Sequence, residues 1–97
     1  MCLTLAQNGN QIEYLKMTEG SFDIYLNGIS ADLKKTSSHN NLLDYAKKAT
    51  REQGAEIVVF EFEKETENIH NEIITLKNKK IHGLYYFSKN KKVIHNF

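Results

Sequence analysis

Four histidines, alternating glutamates and a lysine-rich C-terminal end are the features of this 97-residue chain that could do chemistry. His82 and His95 stand either side of Tyr86, and Glu61 and Glu63 occupy alternate positions at the end of a strongly apolar run. Cleaving an RNA phosphodiester takes a base for the 2′-hydroxyl proton, an acid for the departing 5′-oxygen, and cations for the charge that develops on the phosphate. Imidazole carries protons near neutrality, a neighbouring carboxylate can orient the ring or act as base itself, and lysines attract phosphate without sequence preference. Glu61, His82, Tyr86 and His95 are therefore the expected catalytic set, with Lys80, Lys89, Lys91 and Lys92 as a phosphate-binding rim and neither metal nor other cofactor required. Glu61, Glu63 and a histidine could instead ligate a divalent cation and make the nuclease metal-dependent. His70 reads as core-edge packing on a helix, and His39, with Lys34 and Lys35 nearby, as a helix start that could hold an anion.

The formal charge of +1 conceals a lopsided distribution. Residues 52–72 carry seven glutamates against Lys64, giving −6, and residues 73–97 carry six lysines and no acid, giving +6. A polyanion could meet the basic end, or a basic partner could dock on the acidic stretch, as in a non-enzymatic immunity or adaptor protein. The lone Cys2 permits no internal disulfide and no cysteine-type zinc site. No apolar run reaches the ~18–20 residues of a membrane span, and the start lacks the basic flank of a signal peptide. P-loop, GxGxxG, HExxH and GxSxG signatures are absent, which removes the evidence for nucleotide hydrolases, dehydrogenases, zinc proteases and serine esterases.

These residues need elements to bring them together. With no proline, linker or repeat, residues 11–97 read as one unit behind a loose polar tail, residues 1–10. Residues 12–17 and 21–26 alternate as strands around a Thr18-Glu19-Gly20 turn. After a polar stretch from Ser30 to Ser37, Ser38 caps a helix over residues 40–53, with Leu42, Leu43, Ala46 and Ala49 as its apolar stripe. Residues 55–63 give the strongest strand signal and belong mid-sheet. Thr66 caps a second helix with Ile69, Ile73 and Leu76 at core spacing, and residues 81–87 and 92–97 form a closing hairpin. The expected fold is α+β, ββαβαββ, with a mixed, mostly antiparallel sheet and both helices on one face.

Alternation places Val58, Phe60 and Phe62 on one face and Glu61 and Glu63 on the other. A turn at Lys89-Asn90 would set Leu84 opposite His95 and Tyr86 opposite Val93, bringing His82, Tyr86 and His95 to a common face.

Asn27-Gly28-Ile29-Ser30, Asn41-Leu42-Leu43 with Ala46-Lys47, Gly54-Ala55-Glu56 leading to Val58-Val59-Phe60-Glu61-Phe62, and Tyr85-Tyr86-Phe87 together resemble C-terminal toxin domains of bacterial contact-dependent growth inhibition and related polymorphic toxins. The likeness covers residues 20–97; many such domains are ribonucleases, and a large group of them is similar to the Barnase–EndoU–colicin–RelE type. That class commonly sets its helices ahead of the sheet, whereas here a helix interrupts the strands. The resemblance implies a metal-independent ribonuclease acting on RNA, above all tRNA. It also implies secretion or cell-surface delivery into a target-cell cytoplasm, and a cognate immunity protein as partner, with no membrane role.

Overall fold

The chain's strongest strand signal becomes the middle of the sheet. The computed structural model describes residues 1–14, 22–38 and 40–97. In chain order its elements are α1 (Cys2–Gln7), β1 (Ile12–Tyr14), β2 (Ile24–Leu26), β3 (Ile29–Thr36), α2 (Leu42–Arg51), β4 (Ile57–Phe62), α3 (Glu67–Asn78), β5 (Gly83–Phe87) and β6 (Asn90–Asn96). The six strands form one sheet in sequence order, antiparallel at both ends and parallel from β3 through β4 to β5.

Each parallel step needs a crossover, and α2 and α3 supply them. Right-handed crossovers that step the same way along a sheet leave both helices on one face. There Leu42, Ala46 and Ala49 of α2 and Ile69, Ile73 and Leu76 of α3 pack with Val58, Phe60 and Phe62. On the opposite face Leu5 of α1 joins Ile24, Leu26, Ala31, Val59 and Tyr86. The α+β class and mixed sheet are as expected, but the described residues form three helices rather than two, and these occupy both faces. Residues 1–10 are thus not a loose tail. Leu5 is fully buried, and the Asn8 side-chain amide donates to the Lys91 carbonyl at 2.8 Å, tying α1 to β6. A six-residue helix is too short to show a period, so nothing in the local pattern separates buried Leu5 from exposed Leu3.

Local chemistry sets the joints. Asn27 and Gly28 both adopt positive φ (52° and 82°) between register partners Leu26 and Ile29, the conformation a two-residue hairpin demands and the Asn-Gly pair accepts. Thr66 caps α3 as expected, its hydroxyl accepting from the Ile69 N–H at 3.2 Å. At Gly83 any Cβ would collide with the Val58 carbonyl oxygen, so only glycine lets β5 approach β4 there. Ser38 does not cap α2. Its hydroxyl accepts from the Asn40 N–H at 3.0 Å, and the helix starts behind Asn41. The expected Thr18-Glu19-Gly20 turn and His39 lie outside the described residues.

Candidate functional site

The expected catalytic set is divided between two faces and two ends of the sheet. Glu61 and Tyr86 do meet, as register partners on parallel strands, with the Tyr86 hydroxyl donating to Glu61 Oε1 at 2.6 Å. His82 precedes β5, four residues from Tyr86 and so ~13 Å along the strand. His95 is the correction with the largest consequence. The β5–β6 turn occupies Ser88-Lys89, and a bulge follows between Tyr85 and Phe87, so His95 pairs with Tyr85 and not with Leu84. A one-residue change of register moves a side chain through the sheet. The His95 ring consequently stacks on Tyr85, centroids 4.8 Å apart, on the face that carries α2 and α3. The lysines separate too. Lys89, Lys91 and Lys92 lie at or beyond the β5–β6 turn, whereas Lys80, at φ 61°, sits in the α3–β5 connection at the other end of β5.

What the Glu61 face does contain is a closed polar network. Glu61 Oε2 accepts from the Ser88 hydroxyl at 2.7 Å and lies 3.3 Å from the Lys35 ammonium. Burial alone would raise this carboxyl. The hydrogen bonds from Tyr86 and Ser88, with the Lys35 charge, override burial and hold it at about 2. Burial and the Glu61 charge push the Tyr86 hydroxyl well above the usual phenol range. A carboxylate so fully satisfied neither gives nor takes a proton near neutrality.

The helix face holds the contrasting group. Asp32, Lys34 and Thr36 alternate along β3 toward α2, opposite Val58, Phe60 and Phe62. Asp32 is buried, its Oδ2 is 2.9 Å from the Tyr45 hydroxyl, and Asp23 abuts it from the β2 side. Burial pushes the Asp32 carboxyl up to about 6, opposed by the Tyr45 hydrogen bond and reinforced by the Asp23 carboxylate. Burial and Asp32 push Tyr45 far above the ordinary phenol value. The Tyr45 hydroxyl also lies 3.0 Å from the Leu33 carbonyl oxygen. One phenol proton cannot fully serve two acceptors, but a protonated Asp32 completes the set by donating to Tyr45 while Tyr45 donates to Leu33. The Leu33 N–H in turn donates to Asp23 Oδ2 at 2.8 Å, fixing the second carboxylate.

Tyr45 and Lys34 line a groove of about 600 Å³ between β3 and the start of α2, together with Thr36, Ser38, Asn40, Lys48 and one carboxylate, Asp44. The Lys34 ammonium stands 5.4 Å from the Tyr45 ring centroid. This groove opens at the carboxyl ends of the parallel strands, where open sheets with crossover helices bind their ligands. A carboxyl that titrates near neutrality, reached through a phenol beside two ammonium groups, can move a proton next to a bound phosphate. Among the described residues no three His, Cys, Asp or Glu side chains converge on a metal position. The Asp23–Asp32 pair could still hold one Mg²⁺, which is commonly bound by one or two carboxylates with water and phosphate oxygens.

Sequence reasoning passed over Asp23, Asp32 and Tyr45. The available signal was the alternation of Ala31 and Leu33 with Asp32 and Lys34, which makes this stretch a strand with a carboxylate on a buried face. No family model, curated protein or solved structure matches this chain.

Proposed function

We propose that this chain is a ribonuclease whose proton-transfer group is Asp32, acting through Tyr45, and whose phosphate site is the groove lined by Lys34 and Lys48. The observation that carries this reading is the buried Asp32 carboxyl, held at about 6 between Asp23 and Tyr45, behind the Tyr45 ring that lines a groove carrying Lys34 and Lys48. Tyr45 takes the 2′-hydroxyl proton as it passes its own to ionised Asp32. The 2′-oxygen forms a bond to phosphorus, the bond from phosphorus to the 5′-oxygen breaks, and that oxygen leaves with a proton from water. The lysines offset the charge developing on the phosphate. The resemblance to polymorphic toxins adds tRNA as substrate, delivery into a target-cell cytoplasm and a cognate immunity protein.

Total tRNA incubated with the protein in EDTA tests the reading. Fragments ending in 2′,3′-cyclic phosphate are expected, with Asp32→Asn slower by ~10²–10⁴ and His82→Ala unaffected. RNA that stays intact both in EDTA and in Mg²⁺ overturns it. The adjacency of Asp23 and Asp32 favours one second reading, a divalent cation shared by the two carboxylates. It is distinguished by cleavage that stops in EDTA and returns with Mg²⁺.

A further inference from the structure

His95, which the register removes from the expected catalytic set, lines a second cavity. His95 and Phe87, with Val93, Glu63, Lys64 and Lys89, line a space of about 530 Å³ at the carboxyl ends of β4 and β5. That volume lies within the 300–1,000 Å³ of small-molecule sites. One backbone hydrogen bond links its lining to that of the β3–α2 groove at the same end of the sheet: the Glu63 N–H donates at 3.2 Å to the carbonyl of Thr36, which lines that groove. One wall is aromatic and pre-arranged: the His95 ring stacks on Tyr85 at an interplanar angle of 19° and meets Phe87 at 69°. Val93 is 44% exposed, an apolar side chain left uncovered beside these rings. The other walls mix acceptors on Glu63, Glu65 and Asn90 with ammonium groups on Lys64 and Lys89.

A flat apolar wall, carboxylate acceptors and flanking cations match the three parts of a nucleotide: an aromatic ring face, ring and exocyclic N–H donors, and a phosphate. We infer that this cavity is a base-binding subsite for one unpaired RNA nucleotide, next to the phosphate held in the β3–α2 groove. The inference rests on the ribonuclease reading above. It places His95 in substrate recognition and not in proton transfer. A base can enter only when it is unstacked, so the site selects loops, bulges and single strands over helical RNA.

Adenosine 5′-monophosphate offers no internucleotide bond to cleave and serves as the probe, followed by ¹H–¹⁵N NMR on the full chain with inorganic phosphate as control. Shifts are expected at residues 63–65, 87–90 and 93–95 with the nucleotide and not with phosphate alone. Val93→Trp, which fills the cavity from an exposed position, is expected to abolish them and to raise KM for single-stranded RNA roughly tenfold, within the range of one lost base stack. Shifts confined to the β3–α2 groove, or reproduced by inorganic phosphate, overturn the subsite whether or not RNA is cleaved. Nucleotide shifts at this cavity in a protein that leaves all RNA intact would instead keep the subsite and remove the enzyme.

Discussion

Asp32 and Glu61 lie on neighbouring strands of one sheet, at 3% and 2% exposure, and their surroundings drive them in opposite directions. Glu61 meets two hydroxyl donors and an ammonium group, whereas Asp32 meets one hydroxyl and a second carboxylate. Burial penalises both charges to begin with, so the neighbours decide which group stays ionised. The lesson concerns what neighbours decide: the carboxylate with three donors links three strands and stays ionised, and the one beside a second carboxylate titrates near 6. The largest expected effect separates them by activity. Asp32→Asn keeps the shape and the Tyr45 contact but lowers RNA cleavage by ~10²–10⁴. Glu61→Gln, assayed under conditions where it remains folded, leaves the rate within a factor of a few. Equal losses from the two substitutions would erase the contrast.

Stability against pH sharpens the same comparison. The folded-state pKa of Asp32 lies above its unfolded value, so its contribution is complete below about pH 4 and is lost as pH rises through about 6. For Glu61 the folded value is the lower one, so its contribution is present above about pH 4 and is lost as pH falls through about 2. Each amounts to about 3 kcal/mol. Chemical denaturation in EDTA is expected to show Asp32→Asn removing the decline between pH 4 and 6. Glu61→Gln should remove the acid-side decline and lower stability at neutral pH. The cleavage rate should rise with pH through about 6 as Asp32 ionises.

The unequal legibility of the two sites follows from what sets each one. The face of Glu61 was readable because β4 alternates over six residues, and a period of two admits only one partition. Thr66 was readable because a cap is a local hydrogen bond within three residues. The placement of His95 was not, since it depends on which two residues turn the β5–β6 hairpin and on a bulge that local composition does not announce. Asp32 was hidden in a stretch whose serines and lysines read as loop, although burial of Ser30, Ala31 and Asp32 makes it a central strand. α1 escaped because its partner surface, formed by Ile24, Leu26, Val59 and Tyr86, comes together only after the sheet has folded.

Removing single hydroxyls gives an intermediate effect. Tyr86→Phe leaves buried Glu61 Oε1 without its 2.6 Å donor and should cost ~1–3 kcal/mol in denaturant unfolding. Tyr45→Phe should cost less at pH 5, where a protonated Asp32 carries no charge to be satisfied, than at pH 8. A cost that is independent of pH would show that Tyr45 does not sense the Asp32 proton.

The smallest effect belongs to the ion pair that looks most prominent. Lys35 lies 3.3 Å from Glu61, but its side chain is 57% exposed, so water and salt screen its charge and its long chain loses entropy when held. Lys35→Met should therefore cost under ~1 kcal/mol, shrinking further in high salt. It should leave Glu61 ionised at neutral pH, because the Tyr86 and Ser88 donors remain. Its neighbour Lys34 provides the control. It points to the helix face beside Tyr45 and lines the basic groove, so Lys34→Met should weaken RNA cleavage while stability barely changes. Adjacent residues on one strand would then divide cleanly, one read by calorimetry in low salt and the other by KM for RNA. A Lys35→Met loss of several kcal/mol would mean that the low pKa of Glu61 depends on that charge and not on the two hydroxyl groups.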